Sequence, residues 1–155
     1  MLDFPAPELL VYPRDAVVAE KLEAMVVLGD RNSRIKDFFD LHYLASHFEF
    51  DREVLVEAVR KTFERRRTAI PAELPIGLSS AYWENPSRPT QVRAFARRAG
   101  LAAPTQLGGA FAALLREFLA PLLEELHSGR CRAGRWLPGG PWECESAARE
   151  AGPTR

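Results

Sequence analysis

Two segments near the start of the chain combine carboxylates and lysines at helical spacing. Asp37 and Asp40 are three residues apart, which places both carboxylates on one face of a helix, and Lys36 is four residues before Asp40. Glu20 and Lys21 precede them on the helix predicted before this one. Lysines can bind phosphate groups, and carboxylates can position a nucleophile or a metal ion. This combination could therefore support phosphoryl chemistry.

The same residues also have a purely structural interpretation. Because the second helix is apolar around most of its circumference, charged groups on it are costly unless they are paired or lie in a cleft. An antiparallel helical hairpin could bring Lys21 near Asp37 or Asp40. The result could be a phosphate-binding cluster or an ion-pair network that ties two helices together, and the spacing leaves both interpretations open.

The apolar pattern predicts a mainly α domain, over residues 1–128, of about five helices with one possible short N-terminal strand. Asp51 has the residue type and position of an N-cap. Pro121 is expected to kink or split the last helix. The strand-like run is at 8–12 and a single helical turn is expected near 78–83. The helices are predicted at about 15–28, 34–48, 52–66, 90–99 and 105–127.

The last part of the chain, residues 129–155, is rich in glycine, proline and arginine. This composition predicts an irregular tail that is partly disordered. Its two tryptophans, Trp136 and Trp142, are expected to pack back on the helical domain rather than to form a ligand cage.

Composition excludes several classes of protein. The 155 residues fit one domain, and the 21 acidic and 21 basic residues cancel, so net charge favours neither a nucleic acid nor a membrane partner. No apolar run approaches the roughly 18 residues that span a bilayer, and the N-terminus lacks the pattern of a secretory signal, so we expect a cytoplasmic protein. Cys131 and Cys144 have no histidine or cysteine at ligand spacing, so no metal-binding residues are predicted.

The two charged segments resemble the third and fourth motifs of the AbiEii/AbiGii nucleotidyltransferase toxin family. The first is Val-Val-Ala-Glu-Lys-Leu-Glu-Ala-Met at 17–25, and the second is Arg-Ile-Lys-Asp-Phe-Phe-Asp-Leu at 34–41. Tyr12-Pro13 and Phe-Glu-Arg-Arg at 63–66 also fit the family pattern. The resemblance extends to about residue 142 and identifies the chain with the C-terminal helical half of such proteins.

The resemblance implies an activity and a set of partners. A family member would transfer a nucleotide from an NTP, with Mg²⁺, to an RNA acceptor such as tRNA, in a toxin–antitoxin or phage-defence system with an antitoxin protein as partner.

The resemblance also implies roles for six residues. The candidate catalytic residues are Asp37, which matches the fourth-motif carboxylate, and its supporting neighbours Lys36 and Asp40. The candidate nucleotide-binding residues are Lys21 for the phosphates, Glu20 beside it, and Arg34 at the rim.

The chain departs from the family in one important respect. Family members begin with a Gly-rich turn and paired aspartates that hold the metal ions, and two-metal phosphoryl transfer needs such carboxylates close together. This sequence has no Asp-x-Asp pair, and residues 8–12 would be the last strand of a sheet that is otherwise missing. We therefore expect an incomplete protein that is inactive alone. The alternative is a non-catalytic helical interaction module that binds an antitoxin, RNA or a separate catalytic half.

Two clusters of basic residues offer a further interpretation. They could receive RNA phosphates, or they could be ordinary basic residues at helix C-termini, which the helix dipole favours. The clusters are Arg60, Lys61 and Arg65–Arg67 on the third helix, and Arg93, Arg97 and Arg98 on the fourth.

Overall fold

The computed structural model describes residues 13–31, 34–102, 107–130 and 132–144. Within these ranges the protein is mainly α, as predicted, with six α-helices and a small three-stranded sheet. The strand predicted at 8–12 lies outside the described residues. The helices are α1 (Arg14–Leu28), α2 (Ile35–His47), α3 (Arg52–Arg65), α4 (Ser80–Glu84), α5 (Arg88–Ala99) and α6 (Ala112–Ser128).

Helix α1 is amphipathic and packs mainly against α3. Its buried stripe contains Val18, Leu22 and Met25, and the facing stripe of α3 includes Leu55 and Val59. The helix ends at Leu28 and is followed by the C-cap residue Gly29, which has φ 54° and donates its backbone N–H to the carbonyl of Met25. A positive φ is accessible to glycine without a steric penalty, so this residue allows the chain to turn towards α2.

Helix α2 is the central helix of the fold and contacts α1, α5 and α6. Seven of its 13 residues are buried, among them Phe38, Leu41 and Leu44, and they lie around most of the helix circumference, as predicted. Tyr43 is an exception, because it is 41% exposed. Asp37 and Asp40 are buried on the same helix, so their charges need partners.

Two predictions about helix boundaries meet different outcomes. Asp51 caps α3 as predicted, since its Oδ1 accepts a hydrogen bond of 3.1 Å from the backbone N–H of Val54.

The last helix is not split at Pro121, since α6 continues through that residue. The interruption lies earlier, at the π-helical turn Leu107–Phe111, where Gly109 has non-helical backbone angles. Consecutive glycines favour a helix poorly, which explains why α6 begins at Ala112.

The three strands form an antiparallel sheet with the order β1 (Phe50–Asp51), β2 (Gly134–Trp136) and β3 (Trp142–Cys144). Phe50 pairs with Trp136, and Trp136 pairs with Trp142. Two strands therefore lie in the segment that was predicted to be irregular. Each has three residues, which is too short for an alternating pattern to stand out among glycines and prolines.

The tryptophans attach this hairpin to the helices, as the sequence predicted. Trp136 is fully buried, and its indole N–H donates a hydrogen bond of 2.7 Å to the carbonyl of Ala45 in α2. The indole N–H of Trp142 donates to the carbonyl of Phe118 in α6 at 3.1 Å. The hairpin is therefore part of the packed domain.

Candidate functional site

Helices α1 and α2 bring Lys21 into contact with both candidate carboxylates. The Nζ atom of Lys21 lies 2.9 Å from Oδ1 of Asp37 and 3.0 Å from Oδ2 of Asp40. The side chains of Lys21, Asp37 and Asp40 are 17%, 10% and 4% exposed, so this contact is largely shielded from water. The sequence allowed contact of Lys21 with either aspartate, and the structure places it against both.

Two further cations lie at the solvent side of this cluster. The Nε atom of Arg34 lies 3.1 Å from Oδ2 of Asp37, and Nζ of Lys36 lies 3.0 Å from Oδ2 of Asp40. Arg34 is 59% exposed and Lys36 is 47% exposed. Three cationic groups thus surround two carboxylates, and the two outer cations can also be reached by an anion from solvent. We call these five residues the Lys21 cluster.

The charge state of Lys21 follows from its surroundings. Burial alone would lower the pKa of its ammonium group. The hydrogen bonds and negative charges of Asp37 and Asp40 outweigh that effect, and the pKa is raised above its usual value of 10.5. Lys21 is therefore a fixed positive charge at neutral pH, suited to binding an anion or neutralising carboxylates, and unsuited to proton transfer near pH 7.

Glu20 does not join the cluster, although it is adjacent to Lys21 in the sequence. It is half exposed, and its Oε1 lies 3.4 Å from Arg65 and 3.8 Å from Arg66 of the α3 C-terminus. Consecutive residues of a helix point in directions about 100° apart, so Glu20 and Lys21 contact different neighbours.

Sequence reasoning missed Glu23, which extends this second contact. Its carboxylate is buried and accepts hydrogen bonds from Thr68 Oγ1 at 2.7 Å and Arg66 Nη1 at 2.8 Å. Glu23 lies in the same motif as Lys21, but Thr68 is 45 residues away, and no spacing rule links them. Arg66 is thereby paired within the chain, which weakens the interpretation of the α3 basic cluster as a free phosphate-binding surface.

Arg60 and Lys61 of the α3 basic cluster are also paired within the chain. Arg60 binds Glu57 and Glu64 on its own helix, and Lys61 lies 3.8 Å from Glu57. These are i,i+3 and i,i+4 pairs on an exposed helical face, which is the ordinary arrangement for such residues.

The Lys21 cluster does not have the composition of a metal site. In the described ranges, no three histidine, cysteine, aspartate or glutamate side chains are grouped so that they could hold a metal ion. Asp37 and Asp40 are each already neutralised by two cations, which compete with any metal ion for the same oxygens. These residues fit the binding of an anion better than the binding of Mg²⁺.

The comparison with known families finds a match. The sequence profile described as "Nucleotidyl transferase AbiEii toxin, Type IV TA system" matches residues 1–133. The chain belongs to the AbiEii nucleotidyl transferase toxin family. The family assignment therefore covers α1 to α6 and every residue of the Lys21 cluster. No curated protein sequence and no solved structure shows significant similarity to this AbiEii-family chain.

The assignment also indicates what this AbiEii-family protein is in general terms. It is a nucleotidyltransferase-like toxin of a type IV toxin–antitoxin system, for which an antitoxin is the natural partner. Among the described residues, no helix is both long and apolar enough to cross a membrane.

Proposed function

We propose that the Lys21 cluster is the nucleotide-phosphate site of the helical half of a nucleotidyltransferase toxin. The reaction would transfer a nucleotidyl group from an NTP to a hydroxyl of an RNA acceptor such as tRNA and release pyrophosphate. The cluster supports this proposal because it places the fixed charge of Lys21 next to the solvent-accessible Arg34 and Lys36. Its setting would be a toxin–antitoxin or phage-defence system in the cytoplasm, where NTPs and tRNA are found.

Each residue would have a separate task in this site. Arg34 and Lys36 would bind the phosphate oxygens that arrive from solvent, and Lys21 would supply additional positive charge behind them. Asp37 and Asp40 would hold these cations in place, since each carboxylate contacts two of them. Glu20 faces the α3 arginines and would have no direct part in phosphate binding.

The chain would need metal-binding carboxylates from elsewhere for the transfer itself. The printed sequence contains no Asp-x-Asp pair, and the two aspartates of the cluster are neutralised by cations. We therefore propose that this chain binds the nucleotide but does not transfer it alone, and that Mg²⁺ acts together with carboxylates of another segment or subunit.

A second function has one specific observation in its favour. Each charge of the Lys21 cluster already has a partner within the chain, which is also the arrangement of a structural network. In that case the domain would be a non-catalytic interaction module that binds an antitoxin, RNA or a separate catalytic half.

Calorimetry with ATP, GTP and CTP in the presence of Mg²⁺ distinguishes these functions. Arg34→Ala and Lys36→Ala alter exposed side chains, so they should fold normally and weaken nucleotide binding at least about fivefold each. Lys61→Ala is the matched control, because Lys61 is 70% exposed on α3 and should not affect binding. Absence of binding to the folded wild type, or equal binding by all variants, would leave the interaction module as the remaining function.

A further inference from the structure

The buried arginine at the start of α5, Arg88, lies outside both family motifs and both basic clusters of the sequence. Only 4% of its side chain is exposed. A charged group is costly to bury unless it is paired or hydrogen-bonded, so the contacts of this residue indicate its role. One of these contacts reaches across 58 residues to Asp30, in the turn between the two motifs.

The guanidinium group of Arg88 contacts three separate parts of the chain. Its Nη2 donates to the backbone carbonyl of Asp30 at 2.8 Å and to the carboxylate of the same residue at 3.4 Å. Its Nε donates to the carbonyl of Tyr82 in α4 at 3.2 Å, and its Nη1 donates to Oε1 of Gln91 in α5 at 2.9 Å. The cation also lies 3.7 Å from the centroid of the Tyr82 ring. Because the donors of a guanidinium group are fixed in one plane, these contacts together fix Asp30 relative to α4 and α5.

The residue that Arg88 holds lies in the part of the chain that connects the two halves of the Lys21 cluster. Asp30 belongs to the short helical turn Gly29–Arg31, which directly follows α1, and none of the three residues of this turn is buried. The turn therefore has little apolar packing of its own to fix it. Lys21 lies on α1 before the turn, and Arg34 lies three residues after it. The direction in which the chain leaves α1 thus determines where Arg34 lies relative to Lys21.

From these observations we propose that Arg88 is a positioning residue for the Lys21 cluster. It holds the Gly29–Arg31 turn by the backbone carbonyl of Asp30 and thereby sets the position of Arg34 relative to Lys21. Arg88 itself is buried and does not touch the nucleotide. Its effect on nucleotide binding rests on the proposed function, whereas the anchoring of the turn does not.

Hydrogen exchange of the full chain, measured by NMR, tests the anchoring without any nucleotide. The amides to follow are those of Gly29 and Asp37, which donate hydrogen bonds to Met25 and Arg34 on either side of the turn. In Arg88→Lys, which keeps the charge but not the planar set of donors, both amides should exchange at least about tenfold faster.

Two control variants accompany this measurement. Asp30→Asn should leave the exchange unchanged, since it alters only the longer contact to an exposed carboxylate and keeps the backbone carbonyl. Trp136→Phe lowers stability at the hairpin and should also leave these two amides unchanged.

Calorimetry with ATP and Mg²⁺ tests the consequence for the Lys21 cluster. Arg88→Lys should bind ATP at least about fivefold more weakly than the wild type, because misplaced binding groups lose affinity without any lost contact. Asp30→Asn and Trp136→Phe should bind like the wild type. Circular dichroism checks folding. If Arg88→Lys does not fold, Gln91→Ala removes one contact of the guanidinium group and should show both effects more weakly, at about twofold each.

The combined results separate this proposal from the proposed function. Unchanged exchange of Gly29 and Asp37 in the Arg88 variant, or an equal increase in Trp136→Phe, would overturn the anchoring. Faster exchange with unchanged ATP affinity would overturn the positioning role. Faster exchange in a protein whose folded wild type binds no ATP would refute the nucleotide site and support Arg88 as the anchor of the turn.

Discussion

The ammonium group of Lys21 lies 2.9 Å from the carboxylate of Asp37, although 16 residues separate them in the sequence. This contact joins α1 to α2 at the point where the family motifs meet. It makes the cluster a structural link between the two helices. This structural role and the proposed role in nucleotide binding can be separated experimentally, because the cations of the cluster differ in exposure.

Replacing Lys21 should destabilise the domain far more than replacing Lys36. Lys21→Met leaves two buried carboxylates with less compensation and should lower the free energy of unfolding by about 3 kcal/mol. Lys36→Met removes a cation that is 47% exposed and should cost less than about 1 kcal/mol. Urea denaturation of both variants measures the difference. Equal losses would show that the burial of Lys21 has no energetic consequence.

The same ion pairs predict how stability changes at alkaline pH. The pKa of Lys21 is raised in the folded protein above its unfolded value of 10.5. Its contribution is therefore fully present below about pH 10.5 and is lost as pH rises through the higher folded pKa. Urea denaturation from about pH 9 upwards should show this loss in the wild type. Lys21→Met should show a smaller decrease, and an equal decrease in both proteins would contradict the assignment.

Tyr82 should ionise later than an ordinary tyrosine. Its phenol is buried, and burial raises its pKa to about 12, with Arg88 opposing and Asp30 adding to that rise. Because tyrosine in the unfolded chain ionises near its usual pKa of 10.0, the free energy of unfolding should also fall as pH rises from about 10 to about 12. Spectrophotometric titration of the wild type and Tyr82→Phe isolates this group. A Tyr82 transition near pH 10 in the folded protein would refute the prediction.

Trp136 should be essential to the stability of the domain. Trp136→Ala removes a fully buried indole and its hydrogen bond to Ala45, and should cost about 3–5 kcal/mol. Trp136→Phe keeps part of the packing and should cost less. Thermal unfolding of both variants measures these effects. A change of less than about 0.5 kcal/mol in Trp136→Ala would show that the hairpin is not part of the folded domain.

The helices and the Lys21 cluster could be predicted from the sequence because both depend on local spacing. Val18, Leu22 and Met25 repeat with the helical period, and the short connection between α1 and α2 brings Lys21 to Asp37 and Asp40. Contacts over long separations could not be predicted in this way. Trp136 reaches Ala45 across 91 residues, and neither residue type nor spacing signals that contact.

The site residues show the same limit. Adjacency in the sequence suggests a shared site for Glu20 and Lys21, but a helix directs them to different partners. Arg52 and Glu125 form a buried pair although they lie far apart in the sequence, so the contact follows only from the packing of α3 against α6. Helical spacing indicated that Lys21 could lie near Asp37 or Asp40, but it could not show that Glu20 turns away from them.

Photolabelling with an azido-ATP analogue and Mg²⁺, followed by peptide mapping, tests the central claim most directly. The analogue should label peptides close to α1 and α2, and labelling should decrease in Arg34→Ala and Lys36→Ala but not in Lys61→Ala. This result would assign nucleotide binding to the Lys21 cluster. Label that is confined to peptides of other regions, or that is unchanged in Arg34→Ala and Lys36→Ala, would contradict the claim.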